Sequence, residues 1–531
     1  MTLNRIWYPR PMFISLLTSA LSSLLAVSLF AQSGDTLYQI NGNSSAQGVG
    51  GAIANLGDID GDGISDFVVG GDQYITYGGA VATVYSGVDG SIIHQWSGFS
   101  NAESVANAGD VNNDGTNDII VGSIWTNSKA GQAKVFSGAN GALLHTFNGA
   151  SNDDYLGNAV DGAGDINGDG FDDLLVGAWG ESATLGFSGA AYIFSGLDGS
   201  VLRTFQGQID HGYFGRGLAG IGDVTGDGIP DQMIGETGND TLGFDTGAAY
   251  LYSGADGSLV NTWIGPHYNS RFGERIAPLG DLNGDGFGEC VIGAQFQTPG
   301  TGAAHVISLA SQTTLFVLKG YEHSEVFARS VSGAPDVNGD GIDDILIGSD
   351  RFYNPAGQTG LARVFSGANG QEIQRFLPDS EGGRVGLAVA GLGDVNGDGL
   401  GDYAVGGPNE SFAGSSSGAV YVISGELQGV LLTVESWMPA TTGTFRIHNG
   451  TPFGNAAIGY SLAGGGPTAT VYGLVDMSLP IQTLAVISLD ANGSGEYARS
   501  LPNGILGLSV WSQGVDLVSG ALTNPNPMFV N

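Results

Sequence analysis

A nine-residue acidic segment recurs seven times in the first 425 residues of this chain, and it restricts the fold more than any other feature. The copies begin at residues 58, 110, 165, 223, 281, 336 and 394, and examples are DIDGDGISD, DINGDGFDD and DVNGDGLGD. Successive copies start 52 to 58 residues apart. This spacing is the length of four short strands with their loops, which is one blade of a β-propeller. Seven copies therefore predict an all-β chain with a seven-bladed propeller.

The sequence between the acidic segments predicts four strands in each repeat. A short apolar run ending in glycine follows each segment, such as DLLVGA at residues 173–178. Two further strand-like runs around a glycine turn follow it, as in AAYIFSGLDGSVLRTFQG at residues 190–207. The seventh repeat lacks its fourth run, whereas TLYQING at residues 36–42 resembles the fourth run of the other repeats. We expect this N-terminal strand to complete the last blade and remove an exposed sheet edge.

Composition excludes one class of partner. Acidic residues outnumber basic ones 52 to 16, which gives a net charge of −36, and 93 residues are glycine. Nucleic acid is excluded as a partner because binding it requires a basic surface. The single cysteine, Cys290, leaves no intrachain disulfide, a pattern common in exported bacterial proteins.

The first 31 residues have the organisation of a signal peptide. Arg5 and Arg10 precede an apolar run over residues 13–30, and Ala31 begins a polar segment. The run is also long enough to stay as an N-terminal membrane anchor. Both alternatives predict a secreted or cell-surface protein, bacterial by its lack of disulfides.

The acidic segments have the oxygen spacing of calcium-binding loops. Oxygen-bearing side chains stand at positions one, three, five and nine, glycine at position six permits a sharp turn, and position seven offers its backbone carbonyl. An EF-hand is excluded, because Val69 and Val121 occupy the place of its bidentate glutamate. We predict up to seven Ca²⁺ ions, with the first loop the tightest because it has four aspartates.

The predicted ligands of the first four loops are Asp58, Asp60, Asp62, Ile64, Asp66, Asp110, Asn112, Asp114, Thr116, Asp118, Asp165, Asn167, Asp169, Phe171, Asp173, Asp223, Thr225, Asp227, Ile229 and Asp231. Those of the last three are Asp281, Asn283, Asp285, Phe287, Glu289, Asp336, Asn338, Asp340, Ile342, Asp344, Asp394, Asn396, Asp398, Leu400 and Asp402. The seventh residue of each set contributes its backbone carbonyl.

The repeats resemble FG-GAP repeats, best known from the N-terminal propellers of integrin α subunits. Phe214-Gly215 and Phe272-Gly273 match the FG element, and Gly177-Ala178 and Gly293-Ala294 approximate GAP. The resemblance covers residues 36–425. It implies calcium loops between the first two strands of each blade at one face, and ligand contacts through loops of the opposite face.

Carried over to this chain, the resemblance places the ligand face on the loops between second and third strands. Its candidate ligand-binding residues are Tyr74, Trp125, Trp179, Phe296 and Tyr353, and the loops entering the next blade add Tyr155, Tyr213, Tyr268 and Tyr321. Such rings suit contacts with proteins or sugars. The alternative is that each ring packs between neighbouring blades.

The character of the sequence changes after residue 425, where the acidic segments stop. Short apolar runs such as LLTVESW and TLAVISL alternate with Gly, Pro and Asn, which predicts a β-sandwich-like domain over residues 430–531. Its role, like the oligomeric state, is left open by the sequence.

No catalytic constellation is visible, so we expect a binding or adhesion module for an extracellular protein or glycan rather than an enzyme. Two alternatives stay open: a carbohydrate-active or other hydrolytic enzyme built on the propeller, and a structural protein of the cell envelope.

Overall fold

The computed structural model describes residues 36–425, except 46, 72–79, 183–184, 298–299, 322–324, 354–358 and 379–381, together with the backbone of nine strands within residues 431–529. Every regular element in this part of the chain is a β-strand. No helix long and apolar enough to span a membrane occurs among these residues. The predicted signal segment, residues 1–31, lies outside them.

The first three blades are four-stranded antiparallel sheets, each with its strands in chain order. Blade one contains β2 (Val49–Gly57), β3 (Asp66–Gly71), β4 (Ala80–Tyr85) and β5 (Ile92–Phe99). Blade two contains β6 (Ser104–Gly109), β7 (Asp118–Ser123), β8 (Gln132–Phe136) and β9 (Leu143–Asn148). Blade three contains β10 (Leu156–Gly164), β11 (Asp173–Ala178), β12 (Ala190–Phe194) and β13 (Val201–Gln206).

The next three blades repeat this order. Blade four contains β14 (Phe214–Gly222), β15 (Asp231–Glu236), β16 (Ala248–Tyr252) and β17 (Leu259–Ile264). Blade five contains β18 (Ile276–Pro278), β19 (Glu289–Ala294), β20 (Ala303–Ser308) and β21 (Thr313–Lys319). Blade six contains β22 (Ser330–Ala334), β23 (Asp344–Tyr353), β24 (Thr359–Phe365) and β25 (Glu372–Phe376).

Blade seven combines the two ends of the propeller. It contains β26 (Ala388–Gly393), β27 (Asp402–Gly407) and β28 (Ala419–Ile423), and β1 (Thr36–Asn41) is its outermost strand. The last strand, β28, pairs antiparallel with β1, with Gln39 opposite Tyr421 and Ile40 opposite Val420. The predicted closure by the N-terminal strand is confirmed, and the fold is a seven-bladed β-propeller.

Buried apolar residues form a layer between each pair of adjacent blades. Seven such clusters occur among the described residues, one for each interface, and the one between blades seven and one joins Val49 and Phe67 to Ala404 and Val422. Second strands such as β11 are buried along their whole length, because both faces of the sheet pack on a neighbouring blade. This is why they are continuous apolar runs instead of alternating ones.

The FG and GAP elements meet at the junction between blades. A Cβ built on Gly177, in the GAP position of blade three, would lie 2.2 Å from the carbonyl oxygen of Gly215, in the FG position of blade four. Gly215 itself has a φ of +80°, which glycine adopts without strain. The same contact closes the ring, since a Cβ on Gly406 would lie 2.1 Å from the carbonyl oxygen of Gly50.

We expect Gly177→Ala to lower the free energy of unfolding by about 2–3 kcal/mol, because the added methyl group forces the two blades apart. Gly98→Ala is the matched control: Gly98 has a φ of +89°, but a Cβ there meets nothing within 4 Å, so only backbone strain of about 1–2 kcal/mol is added. Urea unfolding of both variants measures the difference. Equal losses would contradict a steric role for the GAP glycine.

Nine strands are described after the propeller. They are β29 (Leu431–Glu435), β30 (Thr442–His448), β31 (Asn455–Ser461), β32 (Thr468–Thr470), β33 (Gly473–Val475), β34 (Gln482–Ser488), β35 (Gly495–Ser500), β36 (Ser509–Asp516) and β37 (Asn526–Phe529). They pair in the orders β29-β30-β35, β34-β31-β36-β37 and β32-β33. The β-sandwich-like domain over residues 430–531 stays a prediction.

Candidate functional site

All seven acidic segments form the loops between the first and second strands of their blades. Because these two strands are antiparallel in every blade, all seven loops lie at the same end of the propeller. The residue at position nine begins the second strand each time, as Asp66 begins β3 and Asp402 begins β27. We call this end the acidic face. The opposite end, which carries the loops between second and third strands and the connections between blades, is the loop face.

The aspartate at position one holds the turn of its loop together. In the third loop the Asp165 carboxylate accepts hydrogen bonds from the N–H groups of Gly168 at 2.7 Å, Asp169 at 3.1 Å and Gly170 at 2.9 Å. Equivalent bonds lower the pKa of Asp281, with the N–H of Gly286 making the largest contribution. The backbone is thereby wrapped around the position-one carboxylate.

The acid at position nine ties the loop to the rest of its blade. Asp173 is fully buried; its Oδ2 accepts the N–H of Ile166 at 2.9 Å, and its Oδ1 accepts the N–H of Gly196, after the third strand, at 3.0 Å. Burial raises the pKa of Asp173 to about 6 and that of Asp118 to about 7. A cation beside such a carboxylate would oppose this effect and favour the ionised form.

The donor set fits a hard cation. In the first loop the carboxylate oxygens of Asp58, Asp60 and Asp66 lie within 4.8 Å of one another. In the second loop Nδ2 of Asn112 donates to Oδ1 of Asp118 at 3.3 Å, and Oδ1 of Asn112 is buried with no hydrogen-bond partner among the described residues. Oxygen ligands from carboxylates, amides and the backbone are what calcium prefers.

Positions three and nine are brought together in further loops. Asn338 Nδ2 lies 3.2 Å from Asp344 Oδ1, and Thr225 Oγ1 lies 3.5 Å from Asp231 Oδ1. The carboxylate at position five accepts a hydrogen bond from the N–H of position seven, as that of Asp169 does from Phe171 at 3.0 Å. The complete ligand sets, including the position-seven carbonyls, stay predictions.

The aromatic residues predicted for ligand binding divide into several environments. Trp125 is 41% exposed on the loop face. Trp179 is half-buried: the ring of Tyr155 stacks on it at 4.2 Å, and the guanidinium carbon of Arg216 lies 5.3 Å from its centroid. Phe296 is half-buried with Arg271 over its ring at 5.2 Å. Tyr74 lies outside the described residues, and Tyr353 is described only as the end of β23.

Sequence reasoning missed two features of the loop face. Leu242 and Phe244, in the loop between β15 and β16, are 67% and 55% exposed. Three arginines, Arg216, Arg275 and Arg329, converge on the propeller axis. Their position in the sequence could have indicated this. The chain has only 16 basic residues, and each of these three arginines stands one or two residues after an FG element or its equivalent.

Comparison with known proteins agrees with this architecture. The FG-GAP repeat family matches residues 156–194 and 327–365, which are the first three strands of blades three and six. Integrin alpha-PS2 of Drosophila melanogaster is 32% identical over 197 residues, covering 35% of this chain and 14% of that protein. Integrin alpha-V of Gallus gallus is 30% identical over 216 residues, covering 38% and 20%.

Integrin alpha-5 of Xenopus laevis is 28% identical over 204 residues, covering 35% of this chain and 19% of that protein. The matched part of the chain thus spans at most a fifth of the length of these three relatives. The predicted resemblance is confirmed: the propeller contains FG-GAP repeats and is similar to integrin α subunits.

Proposed function

We propose that this integrin-α-like FG-GAP propeller is an exported, calcium-loaded binding module that docks a partner protein on its loop face. The observation that carries the proposal is the set of exposed apolar side chains at the tips of that face. They are Trp125, Leu185, Leu242, Phe244, Tyr268, Tyr321 and Phe412. All the exposed aromatic side chains among the described residues lie on this face. Exposed aromatic groups that share one face are typical of an interaction surface.

The most prominent group lies on blade four and its connection to blade five. Leu242 is 67% exposed and Tyr268 is 68% exposed, and the ring of Phe244 lies 5.8 Å from that of Tyr268. We call these three residues the apolar loop cluster. A partner that covered them would remove a large apolar area from water, and buried aromatic anchors contribute most of the energy of many interfaces.

Calcium has a structural role in this proposal. The acidic loops lie at the opposite end of the blades, so an ion bound there cannot touch a partner on the loop face. Its effect is to hold the turn between the first and second strands and, through the position-nine acid, the residues that follow the third strand. In six of the seven blades that acid accepts a hydrogen bond from the N–H of a glycine two residues after the third strand.

Export and binding without catalysis belong to the same proposal. Export is supported by the signal-like order of charges and apolar residues before Ala31 and by the similarity to integrin α subunits. Edman sequencing of the secreted protein would test it: an N-terminus shortly after Ala31 supports a cleaved signal peptide. Recovery of the whole protein in the cytosolic fraction would contradict export.

We expect Leu242→Ala and Tyr268→Ala to weaken partner binding by about 2 kcal/mol each, because each removes an exposed anchor from the contact surface. Random twelve-residue peptides displayed on phage would be selected against the full chain in calcium, beside a glycan array. The affinity of a recovered peptide would then be measured by calorimetry for each variant at equal folded fraction.

Two controls separate the faces. Leu143→Ala removes an equally large exposed leucine from the outer strand β9, and Asp60→Asn alters the first acidic loop; both should retain peptide affinity when folded. Loss of affinity in Asp60→Asn with none in Tyr268→Ala would place the ligand on the acidic face. Ligands found only on the glycan array would replace a protein partner with a carbohydrate.

A further inference from the structure

A cavity of about 270 Å³ lies on the propeller axis at the loop face. It is lined by residues of the innermost strands of the blades, including Ser104 of β6, Val160 of β10 and Ser330 of β22. Trp179, which follows the end of β11, completes its wall. Because the first strands run from this end towards the acidic loops, the cavity and those loops lie at opposite ends of the axis.

The cavity is rich in arginine although the chain is strongly acidic. Arg216, Arg275 and Arg329 line it together with Glu103 and Glu274. Three cations against two carboxylates leave one positive charge in excess. In a chain whose net charge is −36, this excess makes the axis of the loop face a local attractor for anions.

Glu274 lies among the three arginines but does not neutralise their combined charge. Its Oε1 lies 3.4 Å from Nη2 of Arg216 and 3.8 Å from Nη1 of Arg329, and the Glu274 side chain is only 5% exposed. Burial opposes ionisation of Glu274, but the nearby arginines, Arg216 first, outweigh it and lower its pKa. One carboxylate therefore remains charged among three guanidinium groups.

Arg275 pairs with no carboxylate among the residues that the structure describes. Its Nε donates to the backbone carbonyl of Arg329 at 3.1 Å, and its Nη1 donates to the carbonyl of Glu274 at 3.2 Å. Burial, followed by the charge of Arg329, lowers the pKa of Arg275 to about 10, so the group is still cationic at neutral pH. The two backbone bonds fix the plane of the guanidinium beside the cavity.

Arg216 also contacts an aromatic ring. Its guanidinium carbon lies 5.3 Å from the centroid of Trp179, whose ring also stacks with that of Tyr155 at 4.2 Å. Trp179 is therefore a positioning residue for Arg216.

We propose that this cavity binds the carboxylate side chain of an aspartate or glutamate from the partner protein. The proposal rests on the proposed function, because it supplies the central contact of the docking face. A guanidinium group binds a planar carboxylate through two parallel N–H donors, and three such groups converge here. The volume of the cavity suits one side chain, and the apolar tips around it suit the surrounding surface of a protein.

The test uses blocked amino acids, which are too small to span the cavity and the loop tips together. N-acetyl-aspartate N-methylamide and its asparagine analogue would be titrated into the full chain and followed by saturation-transfer NMR. We expect the aspartate compound to bind at least about tenfold more tightly, because only it has the carboxylate. Arg329→Gln should remove this preference, and Arg275→Gln is a second variant in case the first fails to fold.

Arg351→Gln is the matched control, since Arg351 is exposed in β23 and does not line the cavity. It should keep the preference for aspartate. Equal binding of the two compounds, or an unchanged preference in both cavity variants, would overturn the proposal. Displacement by sodium sulfate at equal ionic strength would make the cavity an unspecific anion site, and binding of glucuronate alone would assign it to an acidic polysaccharide.

The two proposals can fail separately. Docking of a selected peptide can depend on the apolar loop cluster while the blocked aspartate does not bind, and this result would remove only the carboxylate site. Conversely, the blocked aspartate can bind in the cavity while Leu242→Ala and Tyr268→Ala leave peptide affinity unchanged, and this result would remove only the docking face.

Discussion

Deletion of residues 36–42 should abolish cooperative folding of the propeller. This segment contains β1, which pairs with β28 over five described register positions and places Ile40 in the apolar layer between blades seven and one. At about 1 kcal/mol net for each lost hydrogen bond, the pairing alone is worth roughly 5 kcal/mol. That is comparable with the whole stability of many domains, and the deletion also exposes the edge of β28 to other chains.

The measurement compares this deletion with removal of the last seven residues, 525–531, by soluble yield and thermal unfolding. The C-terminal deletion should leave the propeller transition in place. A graded version is Ile40→Ala, which should cost about 2–5 kcal/mol as a buried truncation, whereas Gln39→Ala on the exposed face of the same strand should cost little. Similar yield and melting for the two deletions would show that the ring closes without β1.

Removal of calcium should lower the thermal midpoint of the propeller by a large amount. Ions that bind only the folded loops stabilise the protein by mass action. When the free calcium concentration is 100 times the dissociation constant of a site, that site contributes about 2.7 kcal/mol to the free energy of unfolding. The seven loops have similar backbone geometry, and their contributions to stability add. Without ions, neighbouring carboxylates such as those of Asp58 and Asp60 repel each other within their loop.

Differential scanning calorimetry in excess calcium and in excess chelator measures the effect, with magnesium as the comparison ion. Asp60→Asn should reduce the calcium-dependent shift by about one site, because it removes a carboxylate from the most anionic loop. Asp89→Asn is the control: its carboxylate is exposed on the same face but belongs to the hairpin between β4 and β5. The same midpoint with calcium and with chelator would show that the loops hold no ions.

Much of the architecture could be predicted because it is local or repeated. The acidic nonapeptide places an oxygen-rich turn between two short strands, and its repetition specifies the number of blades. The seventh repeat lacks a fourth strand-like run and residues 36–42 resemble one, which was sufficient to predict how the ring closes, since an unpaired edge is unfavourable. The confirmed FG and GAP elements similarly reflect a backbone contact, that of Gly177 with Gly215, which recurs at each blade.

Only the tertiary structure decided what the loop face presents. From the sequence, Trp125 and Trp179 stand at comparable places in their repeats, yet Trp125 is exposed, while Trp179 is half-buried in contact with Tyr155 and Arg216. Arg216, Arg275 and Arg329 are separated by whole blades along the chain and meet only at the axis. The turn of each loop depends on neighbours within nine residues. Packing across blades depends on residues that lie in different repeats, such as Trp179 and Arg216 or Glu274 and Arg329, and these are brought into contact only when the blades pack against one another.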